Sequence, residues 1–374
     1  MPGHGDAPIL RAAYRLCVVT DAQEVGGAER FLTNLLTALP TDRDVTVLGT
    51  SPAVLARLAD ATPALRTAVV DDSTGAFRRA LRRLAPDVVH LNLIAFPSCR
   101  RAAVAALSLR LPVVLVDHLP TPGLTWRGRA VQRLLTRCSA ARIAVGRTAA
   151  RDVERYGGLR AGSVQIIPNG VPDPGCGGGG PLGSRLVLGT LGRLERQKGL
   201  DVLLRALTDV PDADLVIAGD GSQRAALEDL AAEVGVVGRV RFLGPVDSPC
   251  VVLGSVHALV QPSRWEAMPL AVLEAMHSGR PVIATDVGDM GHVVQDGRTG
   301  FVVDPEDATQ LAAACRRLID PAVRERLGRD ARVRARRSFS VAAMAASYDA
   351  AYRRAAAHPA GRRRHRGDRT ADGP

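Results

Sequence analysis

In "PDPGCGGGGPLGS" (172–184), five of the six residues from Gly175 to Gly180 are glycine. No helix or strand survives that composition, so the segment is a loop or flexible linker and marks a domain boundary. Before it, short apolar runs alternate with helical stretches. "RLCVVT" (15–20), "DVTVLG" (44–49), "DVVHLNL" (87–93), "PVVLVDH" (112–118), "ARIAVG" (141–146) and "SVQIIPNG" (163–170) read as strands. "AERFLTNLLTAL" (28–39) sets Phe31, Leu32, Leu35, Leu36 and Leu39 at helical spacing. "TGAFRRALRRLA" (74–85), "SCRRAAVAALSLR" (98–110) and "RGRAVQRLLTR" (127–137) are further helices.

Beyond the linker the alternation restarts. Strands are expected in "RLVLGTLGRL" (185–194), "ADLVIAGDG" (213–221), "RVRFLG" (239–244), "ALVQPS" (258–263), "RPVIATDVG" (280–288) and "TGFVVD" (299–304). Helices are expected in "GLDVLLRALTDV" (199–210), "SQRAALEDLAAEVG" (222–235) and "PLAVLEAMHSG" (269–279), followed by two basic, Ala-rich helices ending near Arg354. Val-rich strands alternating with helices predict parallel sheets covered on both faces. The expected fold is α/β, with two Rossmann-like doubly wound domains facing each other across a cleft at the carboxyl ends of both sheets, where ligands of such sheets bind. The expected boundaries are an N-terminal domain at 1–171, the linker at 172–184 and a C-terminal domain at 185–338. A C-terminal helix at 339–356 returns to the N-terminal domain, and a basic disordered tail occupies 357–374.

At 374 residues the chain has room for two domains. Aromatics are 3% of residues, so the cores must be built from Ala, Val and Leu. A net charge of +11 points to nucleic acid, an anionic membrane or phosphorylated ligands. Residues 353–374 hold seven Arg against two Asp, so nearly half of the surplus sits in the tail. The basic helices lack interleaved aromatics and no reading motif is present, which argues against nucleic acid. The six cysteines form no CxxC and no His stands at zinc spacing, so the expectation is buried thiols in a reduced, cytoplasmic protein. The N-terminus has no sustained apolar region, so no signal peptide is expected. No apolar run is long enough to span a membrane.

"SRWEAMPLAVLEAM" (263–276) places Glu266 just outside a helix expected from about Pro269 to Ser278, and Glu274 about one and a half turns inside it. The helix N-terminus is a ready anion site. A carboxylate binds phosphate poorly but accepts hydrogen bonds from sugar hydroxyls well, so a ligand carrying both sugars and phosphates explains the arrangement. In "GTLGRLERQKGLDVLL" (189–204), Arg193 and Lys198 flank a strand-to-helix turn, where two cations suit a diphosphate. Both stretches follow strands of one expected sheet and can meet at its carboxyl edge.

With these pieces the chain resembles the retaining glycosyltransferases of family GT4, the glycosyl transferases group 1, which have the GT-B fold. The matching residues are Glu266 with Glu274, "GRLERQKG" (192–199), "IIPNGV" (166–171), "VGGAER" (25–30), "IAGDG" (217–221) and "RFLG" (241–244), in the family's order. The resemblance implies that Arg193 and Lys198 hold the donor diphosphate and stabilise the leaving nucleotide. It implies that Glu274 binds ribose hydroxyls and Glu266 those of the donor sugar. It implies that the backbone of Ala267, Met268, Pro269 and Leu270 meets phosphate or sugar. Gly26 and Gly27 allow close backbone approach, His118 lies near the reacting sugar, and the nucleobase stacks near Phe242 and Leu243. Two departures stand out. Ala267 replaces the usual Gly after the first glutamate, and Gly288-Asp289-Met290-Gly291-His292 replaces a GG-x-P-E pattern.

The implied reaction is metal-independent hexosyl transfer with retention, from a UDP-sugar in preference to a GDP-sugar, in glycan, glycolipid or natural-product biosynthesis. No cofactor is expected. "DAD" (212–214) and "DRD" (42–44) resemble a metal motif but precede apolar strand runs. The alternatives are a nucleotide-sugar epimerase on a GT-B scaffold and a non-catalytic nucleotide-sugar-binding partner subunit. The acceptor, a lipid-linked glycan or a small molecule, is expected on the N-terminal domain. Its three basic helices at 74–85, 98–110 and 127–137 are either solvated faces or a peripheral contact with an anionic membrane.

Overall fold

A computed structural model describes residues 14–95, 97–119, 122–176 and 185–357. The glycine run of the linker (177–184) and the basic tail beyond Ala357 lie outside these residues. The chain forms two compact units. The first contains residues up to 144, 150–167 and those from 345 onward; the second contains 145–149 and 168–344.

In chain order the first unit's elements are β1 (Arg15–Thr20), α1 (Gly27–Ala38), β2 (Asp44–Gly49), α2 (Pro52–Ala61), β3 (Arg66–Val69), α3 (Thr74–Leu84), β4 (Val88–Leu93), α4 (Arg100–Ser108), β5 (Val113–Asp117), α5 (Trp126–Cys138), β6 (Ala141–Ala144), α6 (Arg147–Gly157, whose first residues cluster with the second unit) and β7 (Gln165–Ile166). All strands are parallel, in the order β3-β2-β1-β4-β5-β6-β7. The central strands are Val- and Leu-rich because both their faces are covered. One face packs Val19, Leu48, Leu91 and Leu115 against Phe77, Leu81, Ala102 and Ala106.

The second unit contains β8 (Leu186–Leu191), α7 (Leu200–Thr208), β9 (Ala213–Ala218), α8 (Arg224–Glu233), β10 (Val240–Gly244), α9 (Cys250–Leu253), β11 (Ala258–Gln261), α10 (Leu270–His277), β12 (Val282–Thr285), α11 (Met290–Val293), β13 (Gly300–Val303), α12 (Ala308–Arg317) and α13 (Pro321–Ser338). Its parallel sheet runs β10-β9-β8-β11-β12-β13. The final helix, α14 (Val341–Ala356), begins among the residues of the second unit and joins the first at Ala345. Within the first unit its Tyr352 hydroxyl lies 2.6 Å from His90 Nδ1, and Asp349 accepts from the Tyr14 hydroxyl (2.5 Å) and Arg43 Nε (2.9 Å). Burial raises the Asp349 pKa, but the hydrogen bonds from Arg43, Tyr14 and Arg353 outweigh it and hold the carboxyl at about 2.

Several elements escape the sequence pattern. α2 is started by Ser51, whose side chain accepts from Val54 N–H, and by Pro52. β3 has no buried residue and so no strand-like alternation. α6 carries few large apolar residues. The strand expected at 163–170 shrinks to β7: Pro168 has no N–H to give the ladder, and beyond it the backbone N–H of Val171 donates to Phe339 O (3.1 Å). The cysteine expectation is also corrected. Cys176 and Cys250 form a disulfide, Cys138 is exposed, and only Cys17, Cys99 and Cys315 are buried free thiols.

Candidate functional site

β8 and β11 are neighbours in the second sheet, with Leu188 opposite Ala258. They sit where the strand order reverses direction, the place at which doubly wound sheets bind ligands. The two motif loops leave from their ends and are strapped together. Arg264 N–H donates to Gln197 O (2.8 Å), Gln197 Nε2 to Trp265 O (2.9 Å), and Arg264 Nη1 to Arg196 O (2.8 Å). The Arg264 guanidinium also makes two 2.8 Å bonds to Asp201 and holds that carboxyl below its ordinary pKa. Gly199 permits this contact. Its φ is +62°, and a β-carbon there would lie 2.1 Å from Pro262 O.

Lys198 Nζ is thereby paired with Glu266 Oε1, with side chains 17% and 8% exposed. Ser263 Oγ (2.9 Å) and Gln261 Nε2 (3.3 Å) donate to the same oxygen. Arg193, on the β8 loop, is exposed. Its neighbour Glu195 turns to Ser222, accepting from the backbone N–H and the hydroxyl.

Pro269 is the extended N-cap of α10 rather than its first residue, and the helix begins at Leu270. Its first N–H groups have no intrahelical acceptor and carry the positive end of the dipole. All eight residues of α10 are buried, among them Glu274 at 5% exposure. A carboxylate in so apolar a helix is uncommon unless it serves a partner or a ligand.

Ala267, Met268 and Leu270 are buried and their loop is held from behind. Asp289 N–H donates to Ala267 O (3.0 Å), and Asn169 Nδ2 to Met268 O (2.8 Å). The Asp289 carboxylate accepts from the backbone N–H groups of Arg147 and Thr148, both at 2.5 Å. Gly288 has a φ of +57°, and a β-carbon there would meet Glu266 O at 2.2 Å. The 288–292 segment therefore supports the Glu266 loop through its own residues. Nothing local in the sequence marks Asn169 within "IIPNGV", Asp289, Gln261 or Ser263 as part of this arrangement. The nearest thing to a signal is the position of Ser263, three residues before Glu266.

Gly26, Gly27 and His118 belong to the first unit. Gly26 N–H donates to Glu29 Oε2 (3.0 Å), so the buried Glu29 shapes the loop from below. Burial raises the pKa of that carboxyl. A β-carbon on Gly27 would meet nothing within 4 Å. His118 Nε2 lies 2.6 Å from Asn92 Oδ1, and its ring stands edge-on to Phe31 at 4.6 Å. Burial lowers its pKa to about 3; His90 also falls to about 3, through burial and then repulsion from His118. His118 is thus a neutral imidazole near pH 7.

Phe242 and Leu243 lie on edge strand β10, two strands from β8. Phe242 packs on the core with Arg224 over its ring at 4.8 Å, and Leu243 packs toward Val252 and Val256. Among the described residues no three His, Cys, Asp or Glu side chains gather as a metal cluster. In "DAD" and "DRD", Asp214 pairs with Arg185, Asp42 with Arg43 and Asp44 with Arg66.

Residues 185–321 match the family described as glycosyl transferases group 1, and residues 25–173 match glycosyltransferase family 4. The glycogen synthase of Mycobacterium tuberculosis is 31% identical over 278 residues, covering 68% of this chain and 65% of the relative. The alpha-D-kanosaminyltransferase of Streptomyces kanamyceticus is 33% identical over 157 residues, 40% of this chain and 41% of the relative. The chain thus spans less than two thirds of the length of either. Among solved structures, Anabaena HepE in complex with UDP-glucose superposes with a TM-score of 0.77 at 19% identity, covering 90% of this chain and 98% of that one.

Proposed function

The chain belongs to the glycosyl transferases group 1, with the GT-B fold, and from that premise we propose that it moves a hexosyl group from a nucleoside-diphosphate sugar to an acceptor hydroxyl. The observation that carries the reading is the meeting of Lys198 with Glu266 at the β8/β11 switch point, with Glu274 buried in the helix that follows. A cation, two carboxylates and a helix N-terminus suit a ligand that is part phosphate and part sugar.

In this reading Arg193 and Lys198 hold the diphosphate and stabilise the charge on it as the bond to the sugar breaks. The N-terminus of α10 and the backbone of 267–270 meet phosphate or sugar oxygens. Glu274 accepts hydrogen bonds from ribose hydroxyls and Glu266 from hydroxyls of the transferred sugar. The acceptor oxygen attacks the anomeric carbon from the face the diphosphate leaves, so configuration is retained. The acceptor proton passes to a phosphate oxygen of the departing nucleotide. The cations take the part a metal plays in other transferases, so the reaction is proposed to be metal-independent. His118, neutral and bonded to Asn92, serves the first unit's side of the reaction as a hydrogen-bonding group rather than an acid. Gly26 and Gly27 leave room there for ligand atoms.

UDP is the preferred nucleotide, in keeping with the UDP-glucose bound by HepE, and GDP the second choice. The acceptor belongs to glycan, glycolipid or natural-product biosynthesis. No helix among the described residues is long and apolar enough to cross a membrane. The proposed place of work is the cytoplasm or the inner membrane face.

Nucleotide release tests the proposal. UDP-glucose, UDP-N-acetylglucosamine and GDP-mannose are each supplied with and without cell extract, to wild type and Glu274→Ala. Donor-specific release that needs extract and collapses in the variant is expected. Donor binding without release would favour the non-catalytic nucleotide-sugar-binding subunit, and no binding of any donor would overturn both readings.

A further inference from the structure

We infer that α5 is a docking helix for an anionic phospholipid surface. The three basic helices of the first unit differ in what they bury. α3 buries Phe77 and Leu81, and α4 buries four alanines, which leaves their arginines on solvated faces. Among the thirteen residues of α5, Gln132 alone is buried. Trp126 is 74% exposed, Leu134 61% and Val131 37%.

Helical spacing orders these side chains. Trp126, Ala130 and Leu134 follow one another at i, i+4 and i+8, so they form one outward apolar ridge. Arg129 and Arg137 flank the ridge on one side, while Arg133 between them turns back to donate from Nε to Gly158 O (2.9 Å); Arg127 lies on the other side, its guanidinium 5.2 Å from the Trp126 ring centre. The helix contains no Asp or Glu. An exposed Trp–Leu ridge bordered by arginines suits the boundary between lipid headgroups and acyl chains, where the ridge inserts and the long cationic side chains reach phosphate. Charge complementarity selects anionic over zwitterionic lipid, because Arg127, Arg129 and Arg137 border the ridge and the helix carries no acidic residue to offset them.

α5 also lies close in sequence to the first unit's candidate residues, beginning eight residues after His118 at the end of β5. If the transferase reading holds, on which this consequence rests, the acceptor is carried by a lipid. The docking itself does not depend on it.

The test is co-sedimentation of the full chain, without donor, with phosphatidylcholine vesicles that contain or lack a quarter of phosphatidylglycerol. Wild type is expected to sediment with the anionic vesicles only. Arg129→Gln with Arg137→Gln should weaken binding by about thirtyfold, at about fivefold per arginine. Trp126→Ser with Leu134→Ser should weaken it by at least about tenfold. All four side chains are exposed, so thermal melts should match wild type. Wild type that ignores anionic vesicles, or that binds them equally well in both double variants, overturns the inference and assigns the face to a protein partner. Nucleotide release is read separately, so vesicle binding without release sinks the transferase reading and leaves the docking intact.

Discussion

The Lys198–Glu266 pair makes a prediction with a definite size. Three donors reach Glu266 Oε1: Lys198, Ser263 and Gln261. Lys198→Met removes the charged one and leaves a carboxylate that is 8% exposed with two neutral hydrogen bonds. Breaking a buried ion pair from one side costs about 3–5 kcal/mol. The two remaining donors place this case at the lower end, about 3 kcal/mol. Adding Glu266→Gln removes the stranded charge, so the double variant should lose only about 1 kcal/mol. The gap of about 2 kcal/mol corresponds to about 4–8 °C for a unit of this size. Calorimetric melts of the four proteins, read at the transition of the second unit, measure it. A single variant that costs less than about 1 kcal/mol, as an exposed pair would, refutes the reasoning. So does a double variant whose loss is the sum of the singles.

Two glycines should separate support from function. Gly199→Ala forces a left-handed residue against Pro262 O and should cost at least about 2 kcal/mol in thermal unfolding. Gly27→Ala should leave the melt unchanged, since nothing lies within 4 Å, while lowering turnover; unchanged turnover would remove Gly27 from the site. His90 and His118 have folded pKa values of about 3 against an ordinary 6.5. The unfolded chain therefore binds protons that the native chain refuses, and their stability contribution, complete above pH 6.5, is lost as pH falls toward 3. Each histidine contributes up to about a tenfold change in the unfolding equilibrium per pH unit. His90→Asn should flatten the stability–pH slope measured by urea titration below pH 6, and an unchanged slope would contradict the assignment. Thiol titration of the unreduced, denatured chain should count four thiols, rising to six with reductant. Chain-entropy arithmetic for a separation of 74 residues gives a stability loss of up to about 4 kcal/mol on reduction. Six thiols before reduction would remove the disulfide from the account.

What the sequence made legible follows the range of the interactions. The central strands announce themselves as Val-rich runs because both faces are buried. The loops that carry Lys198 and Glu266 could be brought together in advance because each follows a strand and the sheet places strand ends side by side. α2, β3 and α6 were lost where Ala- and Arg-rich composition blurs helical and strand periods. Asn169 and Asp289 act through backbone partners 99 and 142 residues away, which no local pattern encodes. Cys176 and Cys250 pair across 74 residues, a closure that the fold sets and cysteine spacing does not encode. The same limit applies to the basic helices. All three read alike as sequence, and only burial separates α5, with its exposed Trp126 and Leu134, from α3 and α4.

The central claim is that the β8 and β11 loops and α10 form a nucleoside-diphosphate site. Calorimetric titration of UDP into wild type, Arg193→Gln and Glu274→Gln tests it without an acceptor. The account predicts binding by wild type and a loss of about tenfold to a hundredfold in each variant, the value of a hydrogen bond to a charged group. Variants that melt like wild type and bind UDP equally well would contradict it.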